Sequence, residues 1–162
     1  MENDLVSCVC VTRNRLELLN RALQCFLRQT HPNKELIVVY ESNNLALRAA
    51  LKNSTYPACI IFYEVDHEKR MTLGELRNFS IEQSRGEFIC QWDDDDWYHK
   101  ERIEKQMEEL RRSNQSACIL NYWIMFDELK GLAYLSYPWC WPGTIIFRKK
   151  IFDEGHKYPS LS

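Results

Sequence analysis

Hydrophobic residues in this chain fall into two alternating textures. Residues 5–12, 36–40, 58–63 and 87–92 are short, almost charge-free runs rich in Val, Ile, Cys and aromatics, the pattern of strands buried on both faces. Between them the apolar positions spread out to helical spacing. Leu16, Leu19, Leu23 and Leu27 recur at intervals of three and four, which predicts a helix over about residues 15–29, with Asn14 as N-cap and His31-Pro32-Asn33 as its stop. Residues 45–51 can form a short helix. Thr72 and Glu75 have the spacing of a capping box and open another helix, which Gly86 ends. Ile103, Met107 and Leu110 share one face of a helix over about 98–112. Three strand-like pieces follow, at 117–126, 132–137 and 144–148, separated by Gly131 and by Pro138, Pro142 and Gly143. The first half therefore reads as βαβαβαβ, an α/β fold with a mostly parallel sheet and helices on both faces. Ligands of such sheets bind beyond the carboxyl ends of the strands. That puts Thr12, Glu41 and residues 93–96 along one rim.

Composition agrees with one domain over residues 1–162, 45% hydrophobic and 27% charged. A net charge of −2 gives a nucleic-acid partner no electrostatic support. The longest apolar stretch, 117–126, is too short to cross a bilayer and contains Asn121. The first four residues have neither the basic region nor the apolar core of a secretion signal. The seven cysteines are odd in number and have no Cys-x-x-Cys spacing, and five lie in strand-like segments where Cys serves as a small buried hydrophobe. The expectation is a reduced, cytoplasmic protein without a zinc site, peripheral attachment at the inner membrane face included. His31, His67, His99 and His156 show no metal-ligand spacing.

The run Asp93-Asp94-Asp95-Asp96 changes this picture most. Four adjacent carboxylates repel one another, which raises their pKa values and opposes a compact arrangement. A bound hard cation such as Mg2+ or Mn2+, its coordination completed by a phosphate, would offset that repulsion. The plainer alternative is an acidic loop capping the next helix, with Asp96 as N-cap. A rim assembled from three strand ends favours the first reading.

Several segments, taken in order, carry a resemblance. They are residues 6–15 (VSCVCVTRNR), 29–30 (QT), 35–39 (ELIVV), 76–78 (LRN), 85–89 (RGEFI) and 93–97 (DDDDW). The set resembles the nucleotide-sugar half of a family 2 glycosyltransferase of the GT-A fold. Residues 141–148 (WPGTIIFR) are similar to the segment that begins the acceptor side of that fold. The resemblance implies a donor-binding half over about 1–115 and the start of an acceptor side over about 116–162.

It also implies roles. Asp93-x-Asp95 matches the family's acidic metal motif, so Asp93 and Asp95 are the expected ligands of Mn2+ or Mg2+, and Asp93 or Asp94 would reach the ribose hydroxyls. Thr12 and Arg13 would line the base and ribose pocket. Glu41 stands where the family usually has an Asp that accepts from uracil, so the donor base is left open with a UDP-sugar favoured. Arg77 would approach the diphosphate or brace the carboxylates. Lys69 and Arg70 would close over the donor phosphates, against the plainer reading of a solvated loop. Trp139 and Trp141 are acceptor-side candidates for packing on sugar rings, whereas Trp123 reads as core.

The implied reaction is metal-dependent, inverting transfer of a sugar to an unknown glycan, lipid or protein acceptor. The family carries its general base downstream of the 141–148 segment, about where this chain stops. No catalytic residue is assigned, Asp153 and Glu154 included, and the chain is expected to be truncated and to turn over poorly alone. A weak homo-oligomer through apolar surface at 117–148 is expected. Two alternatives stand beside this reading. One is a non-catalytic nucleotide-sugar-binding or regulatory module on the same fold. The other, a nucleotidyltransferase, needs a Gly-rich loop after the first strand that residues 12–15 lack.

Overall fold

A computed structural model describes residues 4–127 and 129–160. The reading of no secretion signal rests partly on residues 1–3, and the truncation reading on Ser162, all outside the described residues. The elements are β1 (Val6–Thr12), α1 (Leu16–Leu27), β2 (Lys34–Glu41), α2 (Leu45–Asn53), β3 (Ile60–Val65), α3 (Leu73–Glu82), β4 (Phe88–Gln91), α4 (Arg102–Ser113), β5 (Ala117–Cys118), β6 (Ile124–Asp127), β7 (Leu132–Leu135), β8 (Ile146–Arg148) and α5 (Lys149–Asp153). Six strands form one sheet in the order β3-β2-β1-β4-β8-β5, and β6 and β7 form a separate hairpin. β1 to β4 run parallel, while β8 is antiparallel to both β4 and β5. The expected α/β, mostly parallel architecture is what forms.

The charge-free strands follow from burial on both faces. Cys8 and Cys10 of β1 pack with Leu19, Leu23 and Phe26 of α1, Leu47 of α2 and Met107 of α4 on one face. Neighbouring Val9 and Val11 point the other way, toward Ile81 and Leu76 of α3 and Phe152 of α5. The one carboxylate at the start of β2, Glu35, is fully satisfied. It accepts from Ser7 Oγ (2.7 Å), the Arg85 amide (2.7 Å) and Arg85 Nε (2.8 Å). Burial pushes its pKa up, but these three donors more than offset that and hold it below the ordinary carboxylate value. This clamp closes the amino ends of the strands, and the opposite ends are left for the rim.

Local expectations divide instructively. The capping box at Thr72 and Glu75 forms, with both reciprocal bonds made. Asn14 is not an N-cap: its φ of 51° is left-handed, and α1 begins after Arg15 without a side-chain cap. Asp96 does not cap α4, which starts after Glu101. Gly86 lies beyond the end of α3 and meets a different need. A Cβ there would stand 2.5 Å from the Leu5 carbonyl oxygen and 2.8 Å from the Ser7 amide nitrogen. The apolar run 117–126 is split, because β5 joins the main sheet while β6 pairs with β7. Leu120 N is held instead by Thr144 Oγ1 (2.9 Å), which turns the chain out of the sheet.

Trp92 closes the core beneath the rim. Its ring is fully buried, lies edge-on to Phe26 at 6.1 Å and against Tyr98 at 4.1 Å, and its Nε1–H donates to the Ala22 carbonyl at 3.3 Å. Trp92→Ala is expected to lower unfolding free energy by about 3–5 kcal/mol, measured by urea denaturation.

Candidate functional site

Three strands deliver their carboxyl ends to one rim: Thr12 from β1, Glu41 from β2 and the acidic run just after β4. The run does not point as one cluster. Asp94, only 1% exposed, turns inward and accepts from Thr12 Oγ1 (2.6 Å) and Arg15 (2.6 Å). Asp95, 49% exposed, pairs with the same Arg15 at 2.7 Å, while its carbonyl accepts from Arg21 at 2.9 Å. Asp93 Oδ1 accepts from Arg77 (3.0 Å) and Gln91 Nε2 (2.8 Å). Asp96 accepts from the Tyr98 hydroxyl (3.3 Å), and that hydroxyl accepts from the Asp93 amide (2.8 Å).

Arginines thus distribute the repulsion, and Asp96 receives no direct cation among the described residues. Burial, then the charges of Asp93 and Asp95, raise its pKa to about 6. Asp94 is also raised, chiefly by burial, with Thr12 and Arg15 opposing the shift. Beneath the loop lies a buried guanidinium that has no carboxylate partner among the described residues. Arg102 donates to the carbonyls of Gln91 (2.9 Å) and Gly143 (3.3 Å) and lies over the Tyr98 ring at 4.3 Å. It ties the acidic loop to the segment that follows the hairpin.

Two cavities open on this part of the molecule, the second of them lined by residues of the run. The first, about 330 Å³, is lined by Arg13, Glu41, Asn43, His67, Arg70 and Met71. Arg13 Nε and Glu41 Oε2 are 2.6 Å apart there, and Ser42 Oγ meets His67 Nδ1 at 2.9 Å. The second, about 270 Å³, is lined by Asp93, Asp96, Trp123, Met125, Trp141 and Gly143. Gly143 matters by its lack of a Cβ, which would come within 2.8 Å of Asp93 Oδ2 and 3.8 Å of Asp96 Oδ2.

The sequence-derived residues therefore divide into groups. Arg13 and Glu41 share the first cavity, and Asp93 opens on the second. Asp93 shares its cavity with Asp96, whereas Asp95 faces Arg15. Asp94 and Thr12 are bonded to each other below the rim. Arg77 braces a carboxylate, one of its two expected roles. Arg70 reaches the first cavity, while Lys69 is not part of its lining. Asp153 lies exposed at the end of α5. Sequence reasoning missed Arg15, Arg102 and His67. The signal for Arg15 was its place one turn past the β1 end, where a basic residue faces the neighbouring strand's acidic loop.

The donor set tests the implied cation. Among the described residues no group of three His, Cys, Asp or Glu side chains could hold a metal. Two carboxylates, Asp93 and Asp96, nonetheless open on one cavity around a glycine cradle, and the second of them lacks a direct cation. Hard divalent ions commonly take one or two carboxylates and complete their shell with substrate phosphates and water. The residues fit an ion of that kind.

Comparison with known proteins agrees with the fold. The model of glycosyl transferase family 2 matches residues 7–156, and the chain belongs to that family. It is 30% identical over 128 residues to EpsH of Bacillus subtilis, covering 79% of this chain and 36% of EpsH. An uncharacterized glycosyltransferase of Methanocaldococcus jannaschii is 27% identical over 167 residues, 99% of this chain and 56% of that protein. Among solved structures, S. aureus TarS 1–349 in complex with UDP-GlcNAc has a TM-score of 0.73 at 18% identity, over 95% of this chain and 48% of TarS. The mannosyltransferase PcManGT from Pyrobaculum calidifontis, with GDP-Man and Mn2+, has a TM-score of 0.67 at 13% identity, over 96% of this chain and 47% of that one. The fold is GT-A. The chain spans between about a third and somewhat more than half of these proteins' lengths. No helix among the described residues is long and apolar enough to cross a membrane.

The raised Asp96 gives a pH signature. Its folded pKa of about 6 lies above the ordinary 3.8, so its stabilising effect is complete below pH 3.8 and is lost as pH rises through 6. Asp96→Asn should therefore be more stable than the parent at pH 7.5, by on the order of 1–2 kcal/mol after solvent screening. That gap should close as pH falls from 6 to 4. Paired urea titrations across this range measure it.

Proposed function

We propose that the chain binds a nucleotide-diphosphate sugar, with a UDP-sugar favoured, for metal-dependent inverting transfer of a hexose-type unit to an acceptor. The observation that supports this most is the rim at the strand ends, where the acidic run borders one cavity and Arg13 and Glu41 line another. In this reading the first cavity takes the base, with Glu41 accepting from a ring N–H and Arg13 holding the Glu41 carboxylate in place. Arg70 approaches the phosphates from the rim of the same cavity. Thr12 and Asp94 act through the fold, their bond fixing the loop on which Asp93 and Asp95 stand.

A divalent cation, Mn2+ or Mg2+, would offset charge on the departing diphosphate. Asp93 would hold it, with Asp95 or Asp96 as second ligand. Asp95 would do so by releasing Arg15 toward the phosphates, and Asp96 from its present position. Arg77 keeps Asp93 oriented in either case. Two structural neighbours are complexes with UDP-GlcNAc and with GDP-Man and Mn2+, which supports a nucleotide-sugar donor and a divalent ion. The β6–β7 hairpin exposes Ile124, Phe126 and Leu135, which supports weak self-association and a place for further chain to pack. No catalytic base is assigned.

Calorimetric titration with UDP and GDP tests the reading. UDP should bind with Mn2+ present, and EDTA and Asp93→Ala should each abolish binding. Glu41→Gln should weaken UDP about tenfold while leaving the Mn2+ requirement intact. Binding of neither nucleotide overturns the reading. UDP binding without sugar transfer by the full-length protein would favour the non-catalytic module.

A further inference from the structure

Beyond α5 the chain runs back across α3, and specific contacts hold it there. Asn78 grips the backbone of Tyr158 at both its polar groups. Its Nδ2 donates to the Tyr158 carbonyl and its Oδ1 accepts from the Tyr158 amide, each at 2.9 Å. Gly74, in the first turn of α3, leaves room for the segment, since a Cβ there would collide with the Pro159 carbonyl. Lys157 pairs with Glu82 at 3.2 Å. Residues 156–160 are exposed except Tyr158, whose side chain packs against the cluster of Ile81, Ile89 and Phe152.

That side chain meets both donors of Asp93. The Arg77 guanidinium lies over the Tyr158 ring, 5.4 Å from its centroid, and the Tyr158 hydroxyl donates to Gln91 Oε1 at 3.2 Å. Arg77 and Gln91 Nε2 in turn donate to the same oxygen of Asp93, Oδ1. Arg77 Nε is buried with no partner among the described residues, so the ring face is a second hold on its guanidinium. The two ends of the Gln91 amide are nearly equal in shape, and a reversed amide would set its oxygen against the carboxylate. By donating to Oε1, the Tyr158 hydroxyl selects the orientation that turns the N–H to Asp93. Burial raises the pKa of the phenol, which keeps it a donor. The other Asp93 oxygen, Oδ2, is the one beside Gly143 in the second cavity.

We infer that Tyr158 is a positioning residue for the cation site: through Arg77 and Gln91 it fixes Asp93 with Oδ1 occupied and Oδ2 turned to the cavity. The inference rests on the reading of Asp93 as a ligand of the divalent ion. Loss of the partners that orient a metal-binding side chain typically lowers metal affinity about 10–100-fold.

Calorimetric titration of UDP at a series of fixed Mn2+ concentrations tests this. The readout is the Mn2+ concentration that half-saturates UDP binding. Tyr158→Leu, which removes ring and hydroxyl, should raise it about tenfold or more. Tyr158→Phe, which keeps the ring, should raise it about threefold, and it keeps the test decisive if Tyr158→Leu does not fold. At saturating Mn2+ the UDP affinity of both variants should return to that of the parent, which a general loosening of the rim would not allow. Tyr158→Phe should have no further effect in a Gln91→Met background, where the hydroxyl has no amide to orient. Lys157→Ala, on the same segment, should behave as the parent. With binding abolished in Asp93→Ala, a parent-like Mn2+ requirement in the Tyr158 variants overturns the inference and leaves the metal reading standing. Effects of Tyr158→Phe and Gln91→Met that simply multiply overturn it as well. UDP binding by the parent that ignores Mn2+, or an Asp93→Ala that binds as the parent does, overturns the metal reading itself.

Discussion

Four consecutive carboxylates must be held at the end of one strand, and the rim is arranged around that constraint. At an effective dielectric of about 20, two unit charges 4 Å apart interact by roughly 4 kcal/mol. The molecule answers with guanidinium groups from three different helical regions. Arg15, just ahead of α1, bridges Asp94 and Asp95, while Arg77 from α3 holds Asp93. Arg102 from α4 lies buried behind the loop. The compensation is incomplete at one residue. Asp96 keeps a raised pKa because burial and the charges of Asp93 and Asp95 outweigh the Tyr98 hydroxyl bond and the charge of Arg102.

That residual charge connects the fold to its chemistry. A loop fully neutralised by arginine would have no use for a divalent ion, and one without arginines would not fold compactly. Here Asp96 faces a cavity with Asp93 and Gly143, and Arg13 and Glu41 line another cavity at the neighbouring strand ends. A nucleoside diphosphate laid across the run would place its base on one side and its phosphates over the carboxylates. The family membership and the GT-A fold are what the comparisons show; that layout belongs to the proposed function. Arg102 adds a link, since its bonds to Gln91 and Gly143 join the end of β4 to the segment beyond the hairpin.

Much of this was legible in the residues. Periodicity locates the four parallel strands, and the rule for strand ends brings Thr12, Glu41 and the acidic run together from the sequence alone. What escaped depends on three-dimensional neighbours. The left-handed Asn14 makes Arg15 the side chain that reaches the loop, and no local pattern distinguishes that from an Asn cap. Four identical residues in a row give no hint that Asp94 turns inward while Asp93 and Asp96 share a cavity. The run 117–126 is uniformly apolar, so composition could not show where β5 leaves the sheet and β6 finds β7. Gly86 is glycine because β1 passes too close for a Cβ, a tertiary reason that looked like a helix stop.

The central claim is that this acidic loop holds a divalent ion whose coordination the diphosphate completes. Titration of Mn2+ followed by the free-ion electron paramagnetic resonance signal, with and without UDP, tests it most directly. The account predicts weak binding of Mn2+ alone and at least about tenfold tighter binding with UDP, with both lost in Asp93→Ala. Mn2+ binding of equal strength with and without UDP, or retained in Asp93→Ala, would contradict it.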